Sequence, residues 1–168
     1  MKKLARLTAL LLTGALLLVL TACGAAPLTP EQQAKQEIFN AINEVRKDKG
    51  MPSLREVPAL TQMEQEFIEN FRKAGTNGIP KSEAGKLEEE LYNKQNEAGW
   101  QLTGGITYSY SEGSAKLSNV YEGDTPEFRK QLLKWGVAAN DGSVALSVGV
   151  VTIDGKIYWT VTFLKPNT

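Results

Sequence analysis

The first half of the chain carries apolar residues three and four positions apart in three separate segments. This spacing places them on one face of an α-helix and polar residues on the other. The predicted helices run from Pro30 to about Lys49, from about Pro58 to Ala74, and from about Lys81 to Glu97. The predicted inward positions are Ala34, Ile38, Ala41, Ile42 and Val45, then Leu60, Met63, Phe67 and Phe71, then Ala84, Leu87, Leu91 and Tyr92.

The second half changes to the two-residue alternation that is typical of β-strands. Ile106, Tyr108 and Tyr110 alternate with small polar residues, which predicts one half-buried strand. A short helix is predicted over residues 125–136, with Phe128, Leu132 and Trp135 facing inward.

The clearest local prediction is a β-hairpin near the end of the chain. Two β-rich runs, residues 144–153 and 156–164, flank Asp154-Gly155, a pair suited to a type I′ turn. Both faces of the second run are substantially apolar, so we expect the sheet to be covered on both sides. Helices come first and strands later, which predicts an α+β fold with helices on a central antiparallel sheet.

Residues 1–22 have the layout of an export signal. Lys2, Lys3 and Arg6 precede an apolar run from Leu7 to Leu20, which is shorter than the roughly 20 residues needed to cross a membrane. The run ends in "LTAC", and this ending resembles the bacterial lipoprotein signal. The resemblance implies cleavage before Cys23 and a diacylglyceryl group on its sulfur.

The lipoprotein signal sets the expected location and domain organisation. A protein that carries two or more acyl chains is held stably at a membrane, so we expect anchoring through Cys23 at the extracytoplasmic face of the bacterial cell membrane. Residues 23–33 are small, polar and proline-bearing, as in a tether. Residues 34–168 then form the folded domain. Cys23 is the only cysteine, so no disulfide contributes.

The charge balance argues against nucleic acid as a partner. Lys2, Lys3 and Arg6 belong to the signal, which leaves 16 basic and 19 acidic residues, a net charge of −3. Nucleic-acid-binding domains instead favour a basic face.

Two parts of the chain carry a pattern of residues that resembles a known family. The residues are Ile42, Asn43, Arg46, Gly50, Pro52, Leu54 and Leu60 near the start, and Val148, Gly149, Val150, Tyr158, Trp159 and Phe163 near the end. Their types and spacing resemble the CAP superfamily, which comprises the cysteine-rich secretory, antigen 5 and pathogenesis-related-1 proteins. The resemblance extends from about Ala34 to Leu164 and implies an α-β-α sandwich.

The chain departs from this family at the usual metal cleft. Many members hold two histidines and two acidic residues there and can bind zinc, whereas this chain contains no histidine. The family's Glu-Asn signature is replaced by Gly104 to Thr107, and its Ser-x-Gly-His segment by residues 135–142. Because zinc favours thiolate and imidazole ligands, we expect no metal site and no cofactor.

Acid–base catalysis most often uses histidine, which leaves carboxylates as the candidates by residue type. These are Glu64, Glu66, Glu69 and Glu88 to Glu90. Charged residues outside the apolar stripe of an amphipathic helix normally face solvent. We therefore interpret all these glutamates as solvated and predict no catalytic residue.

A binding surface is the remaining prediction, with Tyr108, Tyr110, Glu112 and Tyr121 as its candidate residues. Tyrosine combines apolar area with a hydroxyl group and is common at binding patches. Tyr121 lies in a polar stretch and is expected to be the more exposed tyrosine, whereas Tyr108 and Tyr110 could instead pack the sheet against a helix.

The sequence favours a non-catalytic anchored domain that binds a small apolar or peptide-like ligand or a partner protein. Two alternatives remain: an envelope hydrolase that works through carboxylates, and a purely structural envelope protein.

Overall fold

The computed structural model describes residues 27–106, 108–134 and 143–167. The predicted export signal, Cys23 and Trp135 lie outside the described residues. The described α-helices and strands, in chain order, are α1 (Pro30–Asp48), β1 (Arg55–Glu56), α2 (Pro58–Ala74), β2 (Ile79–Pro80), α3 (Lys81–Glu97), β3 (Trp100–Ile106), β4 (Tyr108–Ser111), β5 (Ser114–Leu117), α4 (Pro126–Lys134), β6 (Ala145–Ile153) and β7 (Lys156–Pro166), and a 3-10 helix over Gly75–Asn77 follows α2.

The three long helices form where the hydrophobic spacing predicts them. α1 ends one residue earlier than expected, and α2 and α3 have the predicted bounds. Gly50 follows α1 with φ of 69°, a left-handed conformation that glycine adopts without steric cost. None of the helices that the structure describes is long and apolar enough to cross a membrane.

The central sheet has the strand order β1-β6-β7-β3. β6 and β7 form the predicted hairpin, with an unbroken antiparallel register from Ala145↔Leu164 to Ile153↔Lys156. Asp154 and Gly155 both have positive φ, 48° and 74°, as a type I′ turn requires. The short strand β1 adds a parallel edge to this otherwise antiparallel sheet.

Helices cover both faces of the central sheet. Side chains of α1 and α4 pack with Val148, Val150 and Trp159 on one face. Side chains of α2 and α3 pack with Val151 and Ile153 on the other face. The predicted α+β fold, with helices on both sides of an antiparallel sheet, is therefore confirmed.

The predicted half-buried strand through Ile106, Tyr108 and Tyr110 is wrong, because the chain divides there between two sheets. β3 pairs with β7, whereas β4 pairs with β5 in a second sheet of order β2-β5-β4. Val120 explains the division, because it bridges to Tyr158 beside the end of the β3–β7 ladder. The edge of β7 along which β3 would continue is therefore already paired.

Two residues of α1 hold the loop that leads to β1. The Asn43 side-chain amide donates to the Leu54 carbonyl oxygen at 3.2 Å and its oxygen accepts from the Leu54 N–H at 2.7 Å. The Arg46 Nε donates to the Pro52 carbonyl oxygen at 2.7 Å. These contacts give Asn43, Arg46, Pro52 and Leu54 a structural role in positioning the loop.

Replacing Asn43 by alanine is expected to lower the free energy of unfolding by about 1–3 kcal/mol. The substitution leaves the partly buried Leu54 N–H and carbonyl without their partner. Urea unfolding followed by circular dichroism measures the change, with Asn40→Ala as the control because Asn40 is exposed on the same helix. Equal stability of the two variants would show that the Asn43 contacts contribute nothing.

Candidate functional site

The four tyrosine and glutamate residues predicted to bind a ligand do not form one patch. Tyr108 and Tyr110 lie on β4, and Glu112 lies in the turn that follows it. Tyr121 belongs to the core on the face of the central sheet covered by α1 and α4, whereas Tyr108 packs against the core on the opposite face. Only the β4 side of the predicted set therefore remains a candidate site.

Tyr121 is buried, and its predicted exposure is wrong. Its side chain packs edge-on against Phe128 at 5.3 Å, and its hydroxyl donates to Glu37 Oε2 at 2.6 Å. Burial and this hydrogen bond raise the pKa of Tyr121. The burial follows from the backbone, because the Tyr121 N–H donates to the Ile157 carbonyl oxygen at 2.7 Å and holds the segment against β7.

Tyr108 has the packing role that the sequence left open. Its ring lies 5.4 Å from that of Phe71, and its hydroxyl donates to Glu88 Oε2 at 2.6 Å. Tyr92, one turn along α3, donates to the other oxygen of Glu88 at 2.5 Å. Burial and the bond to Glu88 raise the pKa of Tyr108 and of Tyr92. The Glu88 carboxylate thus fixes β4 against α3, and its predicted position on a solvated face is wrong.

Tyr110 is the exposed aromatic residue of this region, with 49% of its surface accessible. Its ring meets the Tyr108 ring edge-on at 5.5 Å, and the Lys81 Nζ lies 5.0 Å from its centroid. Contacts from two sides hold the ring in one orientation while about half of it faces solvent.

A shallow, open depression of ≈ 640 Å³ lies beside this ring. A second hollow of ≈ 250 Å³ shares Pro80 with it and is lined by Asn70, Lys73, Ala74, Ile79, Pro80 and Glu83. The first depression is lined by Pro80, Lys81, Ser82, Gly85, Tyr110 and Gly113.

The turn between β4 and β5 forms one wall of the depression. Glu112 and Gly113 have positive φ of 52° and 81°, which gives a tight connection between the two strands. The Lys81 N–H donates to the Gly113 carbonyl oxygen at 3.0 Å and ties the turn to the start of α3. Glu112 is exposed on this turn, next to the wall residue Gly113.

Glu64 is completely buried, so its predicted place on a solvated face is wrong. Its carboxyl oxygens accept hydrogen bonds from the Thr160 hydroxyl at 2.6 Å and the Thr162 hydroxyl at 3.0 Å. Burial raises the pKa of Glu64, and the two threonines and the charge of Lys35 only partly offset this effect. Glu64 therefore belongs to the core between α2 and β7.

The remaining carboxylates of α2 and α3 have separate surroundings. Glu66 is exposed and forms an ion pair with Lys94 at 3.7 Å. Glu69 lies 2.8 Å from the Arg72 Nε, and Glu89 and Glu90 are exposed. Among the described residues, no three acidic, cysteine or histidine side chains come close enough to hold a metal ion.

No known protein family, curated protein or solved structure matched this chain when it was compared with each.

Proposed function

We propose that this protein is a lipid-anchored, non-catalytic binding domain at the extracytoplasmic face of a bacterial cell membrane. The observation that carries the binding role is the open depression beside the exposed, fixed ring of Tyr110. The apolar run that ends at Cys23 supports the anchor. The ligand is a small or extended molecule from the envelope, or a segment of a partner protein.

We propose membership in the CAP superfamily on the sequence resemblance, and the matching residues have structural roles in this fold. Helices lie on both faces of the sheet, as the resemblance implies. The matching residues Asn43 and Arg46 fix the loop to β1, and the matching Trp159 is completely buried beneath α1 and α4.

The hydrolase alternative gains no support from the site. Glu64 is sealed in the core, and Glu88 is engaged by two tyrosine hydroxyls. A structural envelope role is the second candidate, and the packing of Trp159 and Tyr108 into the protein interior favours it. The two roles differ in whether the depression beside Tyr110 takes up a ligand.

Cys23→Ser is expected to abolish membrane anchoring, because serine lacks the thiol that would carry the diacylglyceryl group. Growth with an alkyne fatty acid, followed by membrane fractionation, measures labelling and location together. The wild-type protein should be labelled and sediment with membranes. A matched Thr21→Ser variant should behave as wild type. Undiminished labelling of Cys23→Ser would refute the proposed anchor.

Native mass spectrometry of the mature protein, released from cells in detergent, tests the binding role. A discrete additional mass that organic or aqueous extraction removes would support the binding domain. A mass of the bare lipoprotein, together with no ligand-dependent change in any titration, would favour the structural role.

A further inference from the structure

We propose that the depression beside Tyr110 binds a saccharide, with the apolar C–H face of one sugar ring stacked on the tyrosine. This inference rests on the binding role proposed above and specifies its ligand class. Three features of the site carry it: a fixed aromatic platform, a floor kept free of side chains, and a polar rim.

The platform is set in advance of binding. Tyr110 meets Tyr108 edge-on, and Tyr108 is itself fixed by its hydrogen bond to Glu88 and by the Phe71 ring. A ring that is already oriented loses little conformational entropy when a ligand stacks on it. The tyrosine ring presents apolar area, which suits the C–H face of a sugar ring.

The packing of the protein does not explain why residue 85, which lines the depression, is a glycine. Gly85 lies in the first half of α3, where glycine costs roughly 1 kcal/mol relative to alanine. Its backbone has no positive φ that would require glycine, and a Cβ built there would meet no heavy atom within 4 Å. Gly85 is therefore dispensable for the fold, but any larger side chain would project into the open space of the depression.

The rim carries groups that complement sugar hydroxyls. Lys81 and Ser82 are exposed at the start of α3 and supply an ammonium and a hydroxyl group. The Lys81 Nζ lies over the Tyr110 ring, and among the described residues no carboxylate is within ion-pair distance of it, so a sugar that stacks on the ring would draw the ammonium from the ring to one of its own hydroxyls. The second hollow adds Asn70 and Lys73 beyond Pro80. Both hollows are lined by Pro80, and two neighbouring hollows suit a chain of linked rings better than a single sugar.

The shape of the site argues against the other ligand classes. A small apolar ligand needs an enclosed pocket that removes most of its surface from water. This depression is open, and its aromatic lining is Tyr110 alone. A peptide gains affinity from side chains buried in pockets, whereas all six residues that line this depression are exposed. A flat sugar ring needs only one aromatic face and polar groups at its edge.

Calorimetric titration of the mature lipoprotein in nanodiscs tests the proposal. The probes are the β-1,4-linked tetramers of N-acetylglucosamine and of glucose and the α-1,4-linked tetramer of glucose, with an alanine pentapeptide as the non-saccharide comparison. At least one tetramer should bind the wild-type protein. Tyr110→Ala and Gly85→Leu should each weaken that binding about tenfold or more, because they remove the platform and fill the floor.

The variants separate loss of the site from loss of the fold. Gly85→Leu should unfold at the same temperature as the wild type or higher, because leucine is the better helix former. Lys86→Leu places the same side chain one position further along α3, outside the depression, and should bind as the wild type does. Tyr110→Phe retains the stacking face and should bind within about threefold of the wild type.

Two results would overturn the saccharide proposal in distinguishable ways. Binding of the pentapeptide alone, weakened by Gly85→Leu, would refute the saccharide class and leave the proposed binding role intact. If none of the three tetramers and not the pentapeptide showed binding that Gly85→Leu weakens, the proposed binding site itself would be refuted. A bare mass in the native spectrum would then count against the binding role as well.

Discussion

Replacing Glu64 by alanine is expected to lower the free energy of unfolding by about 3–5 kcal/mol. The substitution removes the acceptor of the Thr160 and Thr162 hydroxyls and leaves a cavity between α2 and β7. An unsatisfied buried polar group costs about 1–3 kcal/mol, and truncation of a fully buried side chain adds a cavity term. Urea unfolding at pH 5 measures the loss.

Glu64→Gln is the matched control, because it keeps the shape of the side chain and an oxygen that accepts from a threonine. Its loss should be smaller than that of Glu64→Ala. A Glu64→Ala variant as stable as the wild type would show that the carboxyl oxygens and the packed side chain contribute little to the core.

Glu64 should also change how the free energy of unfolding depends on pH. Burial raises the folded-state pKa of Glu64 above its unfolded value of about 4.5, so the folded protein holds this proton more tightly. The stabilisation that comes from binding this proton is fully present below the pKa of Glu64 in the unfolded state. As the pH rises from that value to the folded-state pKa, the free energy of unfolding falls by about 1.4 kcal/mol per pH unit.

Glu64→Gln lacks this proton, so the stability difference between the wild type and Glu64→Gln should shrink steadily as the pH rises from 4.5. Unfolding titrations at half-unit pH steps measure the difference. A difference that grows with pH would contradict the raised pKa. Glu31 affects the pH dependence of stability in the opposite direction. Partial burial raises its pKa, but hydrogen bonds from Arg72 and Thr152 lower it by more, so the stabilisation that Glu31 contributes is lost as the pH falls.

Replacing Trp159 by alanine is expected to lower the free energy of unfolding by about 3–5 kcal/mol. Trp159 is among the largest completely buried side chains of the described structure, and its ring packs edge-on against Phe128 at 5.3 Å. Truncation of a core tryptophan removes its buried apolar area and leaves a void that its neighbours fill only in part. Thermal and urea unfolding both measure the loss.

Trp159→Phe separates packing from hydrogen bonding. The Trp159 Nε1 has no hydrogen-bond partner among the described residues, so Trp159→Phe removes only part of the ring volume. Its free energy of unfolding should therefore fall by less than half as much as that of Trp159→Ala. A phenylalanine variant as unstable as the alanine variant would indicate that the indole nitrogen contributes to the fold.

Variants at Trp159 should change the stability of the protein without changing its binding of a ligand. Trp159 lies on the face of the sheet covered by α1 and α4, whereas Tyr110 and Gly85 lie at the surface on β4 and α3. Conservative changes at Trp159 are therefore expected to alter stability without altering saccharide affinity.

The helices and the hairpin could be predicted because their signals are local. The bounds of α2 follow from Pro58 and from the apolar spacing up to Phe71, and the hairpin turn from Asp154-Gly155. The predicted lipoprotein signal, residues 1–22 before Cys23, is likewise a pattern of consecutive residues, and the labelling experiment tests it.

Glu64 shows where local reasoning was incomplete. It follows Leu60 by four residues and precedes Ile68 by four, so helical geometry alone places it on the buried stripe of α2. Its charge suggested a solvated position. The hydroxyl partners that make burial tolerable lie nearly a hundred residues further along, at Thr160 and Thr162. A pattern read along one segment does not reveal such a partner.

The sequence by itself determined the helix bounds, the turn and the two faces of the hairpin, because neighbours three, four or two positions apart decide these features. Only the tertiary structure decided that Tyr121 is buried, that Tyr110 is exposed and that β3 and β4 belong to different sheets. The physical reason is competition for one strand edge: Val120 pairs with Tyr158, so β4 turns away and its tyrosine borders an open depression.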